Sequence, residues 1–222
     1  MESKEPSYIV NFKAYEGGTG ARALELARVI EEFAKKTGTD FGVAVQPTDI
    51  ELVASSVELP VFAQHIDPVG FGSHTGHILP EAVVSAGAVG TLLNHSERRL
   101  GLDALEASVK RAHEVGLQVV ACAKDAEEAG RISRFADKPD FIAIEPPDLI
   151  GGDVSVSSAR PDIISEGVEA VGGVPLLVGA GVKTYEDVKK AVGLGAVGVL
   201  LASGVVKAED AVEALEKLTG KK

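Results

Sequence analysis

The 222-residue sequence predicts an α/β chain folded as a single closed (β/α)8 barrel. Three observations carry that prediction. Short apolar runs recur along the whole chain, segments of helical periodicity separate them, and each run ends in polar or glycine residues. Continuous apolarity without strict alternation marks strands buried on both faces, as parallel strands covered by helices are. One domain over residues 1–222 suits the length, because α/β barrels of this size share one core.

The expected strands are Tyr8–Val10, Phe41–Val45, Val61–Ala63, Ala88–Leu93, Gln118–Ala121, Phe141–Ile144, Pro175–Val178 and Ala196–Leu201. Between the first two, Ala23, Leu26, Ala27, Ile30, Phe33 and Ala34 keep helical spacing up to a stop at Gly38. Leu102, Leu105, Val109 and Ala112 do the same before Gly116. A doubly wound open sheet would carry a Gly-x-Gly-x-x-Gly turn after its first strand. The chain lacks it there and instead places glycine-rich turns after the last two runs, where barrels bind phosphate.

Composition narrows the function. A formal charge of -11 and a pI near 4.9 argue against nucleic acid or an anionic membrane as partner. An anionic substrate would need local positive potential from helix N-termini and one or two lysines. The single cysteine, Cys122, lies in an apolar run; it leaves no intrachain disulfide or cysteine metal spacing and suits a reducing compartment. The N-terminus shows no basic segment followed by an apolar core, and the longest uncharged run, Ala191 to Val206, has 16 residues and four glycines. No membrane partner and a cytoplasmic location are therefore expected.

In a barrel all strand C-termini point to one face, so the residues ending each run form one candidate site. Those residues are Asn11-Phe12-Lys13, Asn94-His95-Ser96-Glu97, Glu145, Gly179-Ala180-Gly181 and Ala202-Ser203-Gly204. Glu145 directly follows a core strand and precedes two prolines, which hold it extended. Taken alone it reads equally as a charged cap on that strand. After Pro146-Pro147, an apolar tip, Asp148-Leu149-Ile150, and then Gly151-Gly152 have the build of a hinged lid. His65, His74, His77 and His113 form no metal-ligand spacing, and neither a metal nor a cofactor is expected.

Asn11-Phe12-Lys13, Asn94-His95-Ser96-Glu97-Arg98-Arg99 and Glu145-Pro146-Pro147, in this order at these strand ends, resemble the triosephosphate isomerase family, especially its short archaeal form. The likeness covers essentially the whole chain, including Ala63-Gln64-His65-Ile66-Asp67, Ser73-His74-Thr75-Gly76-His77 and Leu200 to Lys207. Tuned pKa values and lid closure are features of that family. The resemblance implies a TIM barrel that interconverts D-glyceraldehyde 3-phosphate and dihydroxyacetone phosphate through an enediolate, in glycolysis and gluconeogenesis.

By the same resemblance Glu145 is the base and His95 the neutral electrophile, with Ser96–Arg99 starting a helix whose dipole keeps the imidazole uncharged. Lys13 supplies positive charge and Asn11 a positioning hydrogen bond. Glu97 orients the site through Lys13 or Asn11, or pairs with Arg98 or Arg99. Substrate and phosphate binding fall to Asn11, Phe12, Lys13, Ile150, Gly151, Gly181, Ala202 and Ser203. The loop from Phe71 to His77 reaches into a neighbouring subunit, with Thr75 at its tip, in a homodimer or homotetramer. One departure is Gly151-Gly152-Asp153, where archaeal relatives carry Gly-Thr-Gly. Other phosphate-sugar barrels share the glycine turns, yet an aldolase needs a strand lysine that the runs lack, and a non-catalytic barrel would not keep Lys13, His95 and Glu145 together.

Overall fold

The computed structural model describes residues 6–146 and 160–222. Eight parallel strands close a barrel in sequential order: β1 (Ser7–Asn11), β2 (Phe41–Val45), β3 (Val61–Ala63), β4 (Gly90–Leu93), β5 (Gln118–Ala123), β6 (Phe141–Ile144), β7 (Leu176–Val178) and β8 (Gly198–Leu201). The helices described are α1 (Ala21–Thr37), α2 (Ile50–Ala54), α3 (Pro80–Ser85), α4 (Leu102–Glu114), α5 (Ala126–Ile132), α6 (Pro161–Ala170), α7 (Tyr185–Gly193), α8 (Ser203–Val206) and α9 (Ala211–Thr219).

Strand positions agree with the apolar runs, and the differences lie at their two ends. Ala88 and Ala196 still donate their N–H to Val83 and Ala191, at the ends of the preceding helices, so the ladders begin at Gly90 and Gly198. At the other end β5 continues to Ala123, which brings Cys122 into the sheet. The two long amphipathic segments become α1 and α4. Ala23, Ala27, Ile30 and Phe33 are the buried stripe of α1, which ends where Gly38 adopts φ +67 and donates to Ala34 O at 2.8 Å. A capping box between Thr184 and Asp187 starts α7, and Asp125 and Asp210 cap α5 and α9.

Alternate strand residues build two cores. Ile9, Ala44, Phe62, Leu92, Val120, Cys122, Ala143, Leu177 and Leu200 draw on every strand and fill the barrel interior. Their neighbours, such as Val10, Val43, Ile142 and Val199, form the larger layer with the helices. Phe62 takes much of the interior space on its side: a Cβ on Gly90 would stand 2.4 Å from its ring, and one on Gly42 would stand 3.2 Å away. Large and small residues thus alternate across β2, β3 and β4. Outside, α9 packs on α1, α7 and α8 across the seam where β8 meets β1.

At that seam Ser7 pairs with Gly198, and a Cβ on Gly198 would stand 2.1 Å from Ser7 O, a backbone atom that cannot swing aside. Gly198→Ala is expected to lower Tm by roughly 3–10 °C, the shift that overpacking gives in a chain of this size. Gly193→Ala, at a helix end with nothing within 4 Å, serves as control and should keep or raise Tm. Equal Tm for Gly198→Ala and wild type in a thermal scan would show that the seam adjusts freely.

Candidate active site

Asn11 ends β1, and its side-chain oxygen accepts the Lys13 N–H at 2.9 Å. That bond helps hold Lys13 at φ +51, a left-handed conformation that is uncommon outside glycine. Gln64 steadies the same turn by donating to Lys13 O at 3.0 Å and Ala44 O at 3.3 Å. The lysine side chain is buried, and its Nζ donates to Glu97 Oε1 at 2.8 Å. Glu97 therefore pairs with Lys13, while Arg99 pairs with Glu128 and Arg98 stands 3.6 Å from Asp67. Phe12 differs from expectation. Its side chain is fully buried in the outer core against Gly18 and takes no part in the cavity wall, because the pleat turns it away from the neighbours that face the site.

Asn94 follows β4 at φ +59. It donates through Nδ2 to Cys122 O at 2.8 Å and accepts Leu100 N–H at 2.8 Å, and Arg99 donates to its carbonyl at 3.0 Å. These bonds pin the turn that carries His95. The expected helix at Ser96–Arg99 is absent: Arg98 N–H closes a turn on His95 O at 2.8 Å, and α4 starts only at Leu102. The imidazole is oriented by a hydrogen bond from the Glu97 backbone N–H to Nδ1 at 3.2 Å. A ring nitrogen that accepts carries no hydrogen, so in this arrangement the ring N–H is on Nε2. The 3.6 Å separation of Nδ1 from Glu97 Oε2 is too long to compete.

Glu145 follows β6 and is buried. Its Oε1 lies 3.5 Å from His95 Nε2, and among the described residues its Oε2 is buried without a hydrogen-bond partner. Leaving such an atom unpaired costs on the order of 1–3 kcal/mol, which packing alone would not select. Gly179, at the end of β7, makes room for the carboxylate: a Cβ there would stand 2.5 Å from Glu145 Cγ and 3.0 Å from Oε1.

These groups share one cavity of about 240 Å³. Asn11, Lys13, His95, Glu97 and Glu145 line it together with the β7 and β8 turns, including Gly181, Ala202 and Ser203. Gly181 has φ +67, and Ala202 caps the short α8, whose first N–H groups have no acceptor within the helix. Gly204, named with the β8 strand end, lies in the wall, and sequence reasoning missed Tyr15, Val182 and Lys183 there. Proximity to Gly181 was the only available signal for the last two. Ile150 and Gly151, with the rest of the expected lid from Pro147 to Asp153, lie outside the described residues.

Groups near the site have other roles. Burial, and then the charge of Glu145, push the Cys122 thiol well above its ordinary range, so it is no nucleophile. Burial also lowers the His65 pKa, opposing its hydrogen bond to Asp67 at 3.2 Å. For Asp67 burial acts upward but is outweighed by the Ile78 N–H at 2.7 Å and by His65, so this carboxyl titrates below its usual range. Neutral His65 and ionised Asp67 together close the base of the exposed 71–77 loop. Among the described residues no group of three or more His, Cys, Asp or Glu is placed to hold a metal ion.

The family model for triosephosphate isomerase matches residues 6–218. The chain is 48% identical over 216 residues to a triosephosphate isomerase of Archaeoglobus fulgidus, covering 96% of each chain. It is 49% identical over 217 residues to that of Methanosarcina acetivorans, covering 96% of this chain and 97% of the relative. In fold it is similar to the crystal structure of triosephosphate isomerase from Bartonella henselae, with a TM-score of 0.70 at 20% identity, over 96% of this chain and 98% of that one.

Because Gly179 and Glu145 occupy adjoining space, Gly179→Ala is expected to keep the barrel folded by circular dichroism yet slow turnover of a triose phosphate. The loss should be on the order of 10²-fold, which a ~1 Å displacement at a reacting carboxylate produces. Wild-type turnover in this variant would mean that the carboxylate position is not critical.

Proposed function

Because the chain belongs to the triosephosphate isomerase family, we propose that it interconverts D-glyceraldehyde 3-phosphate and dihydroxyacetone phosphate, with Glu145 as base and His95 as neutral electrophile. It is an aldose–ketose isomerase acting on a phosphorylated triose, a step shared by glycolysis and gluconeogenesis. The observation that supports the residue roles is the buried Glu145 carboxylate, whose Oε1 faces the Nε2 edge of His95 and whose Oε2 has no hydrogen-bond partner among the described residues.

In the aldose-to-ketose direction the Glu145 carboxylate accepts the proton on the carbon next to the carbonyl. The electron pair of that C–H bond forms the enediolate double bond, and charge develops on the carbonyl oxygen. His95 donates Nε2–H to that oxygen, with Nδ1 held as acceptor by the Glu97 N–H. Glu145 then returns the proton to the neighbouring carbon, and the hydroxyl hydrogen transfers between the two oxygens, so no atom is gained or lost. Lys13, held in place by Glu97, brings an ammonium donor to the buried end of the cavity. The N–H groups of the Gly181 and Ala202-Ser203 turns grip the remote phosphate, where small residues let the backbone approach.

The proposal extends to assembly, compartment and extent. All residues from Phe71 to His77 are exposed, and Phe71 at 80% is the most exposed large apolar side chain among the described residues. Covering it in a homodimer or homotetramer removes that apolar surface from water. A cytoplasmic location suits the lone buried thiol; among the described residues no helix is long and apolar enough to cross a membrane. Residues 1–222 are read as one domain.

A coupled assay of dihydroxyacetone phosphate formation tests the reaction. Glu145→Asp, which withdraws the carboxylate by about 1 Å, should be folded and slower by on the order of 10²-fold. Near wild-type turnover in that variant would remove Glu145 from the role of base. Replacing Gly72–Gly76 by a short glycine link should yield monomers with poor turnover; light scattering that shows monomers of full activity would refute the need for assembly.

A further inference from the structure

We propose that Lys207 is a positioning residue for the reaction: from outside the cavity its ammonium holds the Tyr15 ring, and this contact fixes the β1 turn that carries Lys13 against α8. The proposal rests on the isomerase reading above for the reaction that this spacing serves. Paired register between β8 and β1 ends at Val10 and Leu201. The site residues of both strands lie beyond that last pair, Asn11 and Lys13 on one side of the seam and Ala202 and Ser203 on the other. Each turn is held internally by its own hydrogen bonds. Their position relative to each other is set by contacts above the sheet.

Tyr15 stands two residues after Lys13, and its carbonyl accepts the Gly18 N–H and the Thr19 hydroxyl, each at 2.9 Å. Its half-buried ring packs on the outer core and lines the cavity. Lys207 caps the C-terminal end of α8, donating its N–H to Ser203 O at 3.1 Å, and its Nζ lies over the Tyr15 ring, 4.2 Å from the centroid. One helical turn therefore links Lys207 to the Ser203 of the wall. The backbones also touch: a Cβ on Gly17 would stand 2.8 Å from Val206 O, and one on Gly18 would stand 3.2 Å from Val206 Cγ1. That packing sets a distance but has no direction. The cation over the ring adds direction, because the attraction depends on the ammonium staying over the ring face. Lys207 is exposed and lies outside the cavity wall, so its contact with the site runs through Tyr15. The competing use of its charge is long-range attraction of an anionic substrate, which would alter KM, leave kcat unchanged and be indifferent to residue 15.

Steady-state kinetics on glyceraldehyde 3-phosphate in a double-mutant cycle separates these uses. Lys207→Met should lower kcat roughly 2–5-fold, the factor that a cation–ring contact at an exposed site supplies. The loss should persist from about 20 mM to about 200 mM ionic strength. The same substitution should cost that factor again in Tyr15→Phe, which keeps the ring, and nothing in Tyr15→Leu, which removes it. Gly17→Ala pushes the same two turns apart without changing any charge and should also lower kcat. Lys217→Met, which removes a charge from α9 outside the wall, should leave kcat unchanged. An equal loss in the Tyr15→Leu background, or a change confined to KM that fades in high salt, would assign Lys207 to long-range charge and overturn the proposal. Unchanged kcat in folded Lys207→Met or folded Gly17→Ala would overturn it too. An inactive wild type would instead sink the isomerase reading. The contact between the turns would then be judged by hydrogen exchange of the backbone over residues 14–19, faster in Lys207→Met than in Lys217→Met if the assignment holds and equal in both if it does not.

Discussion

Closure of the sheet is the constraint on which every other feature depends. The register from Ser7–Gly198 to Val10–Leu201 joins the last strand to the first. An open sheet would leave the β1 turn with Lys13 and the β8 turn with Ser203 at opposite edges; the closed ladder makes them walls of one cavity. Closure requires an interior filled without excess, which explains why Phe62 lies between Gly42 and Gly90 and why Gly198 has no side chain. Stability at the seam and assembly of the site are therefore the same structural event.

Strain is concentrated where the closed sheet meets the site. Lys13 and Asn94 are the two non-glycine residues with positive φ among those described, and each immediately precedes or carries a site function. A left-handed residue of this kind costs on the order of 1–3 kcal/mol unless its surroundings hold it. At Lys13 the compensation comes from Asn11, Gln64 and Glu97 acting on its N–H, carbonyl and ammonium. At Asn94 it comes from bonds to Cys122 O, Leu100 N–H and Arg99. Both turns are consequently rigid before any ligand arrives, and rigid placement is what makes a base and an electrophile effective.

The electrostatics follow the same economy. His95 is oriented by a backbone N–H, which carries no net charge and does not titrate. Lys13 has its charge matched at close range by Glu97, whose own side chain is 60% exposed, so the pair stabilises geometry more than it raises potential. Among the described residues, the Glu145 Oε2 oxygen stays without a hydrogen-bond partner inside the wall. A buried carboxylate with one unbonded oxygen is unfavourable for folding and useful for abstracting a proton, which is why Gly179 is needed to leave it room.

The strand positions, the long helices α1 and α4, and the strand-end residues Asn11, Lys13, His95 and Glu145 were legible in the sequence. Burial on both faces makes a strand continuously apolar, and parallel order sends every strand end to one face. Motif likeness added the order of those ends. Tertiary structure alone decided the rest. Glu97 is 84 residues from Lys13, so its choice of that lysine over adjacent Arg98 and Arg99 had no local signal. Ser96–Arg99 read as a helix start but forms a turn, because Asn94 spends its side chain on Cys122 and Leu100 and defers the helix to Leu102. Phe12 sits between two site residues yet is turned into the outer core by the alternation of the strand, which a motif read as a block does not distinguish. Tyr15 and Lys183 join the wall only because β1, β7 and β8 become neighbours when the barrel closes, a relation between distant residues that no local pattern encodes.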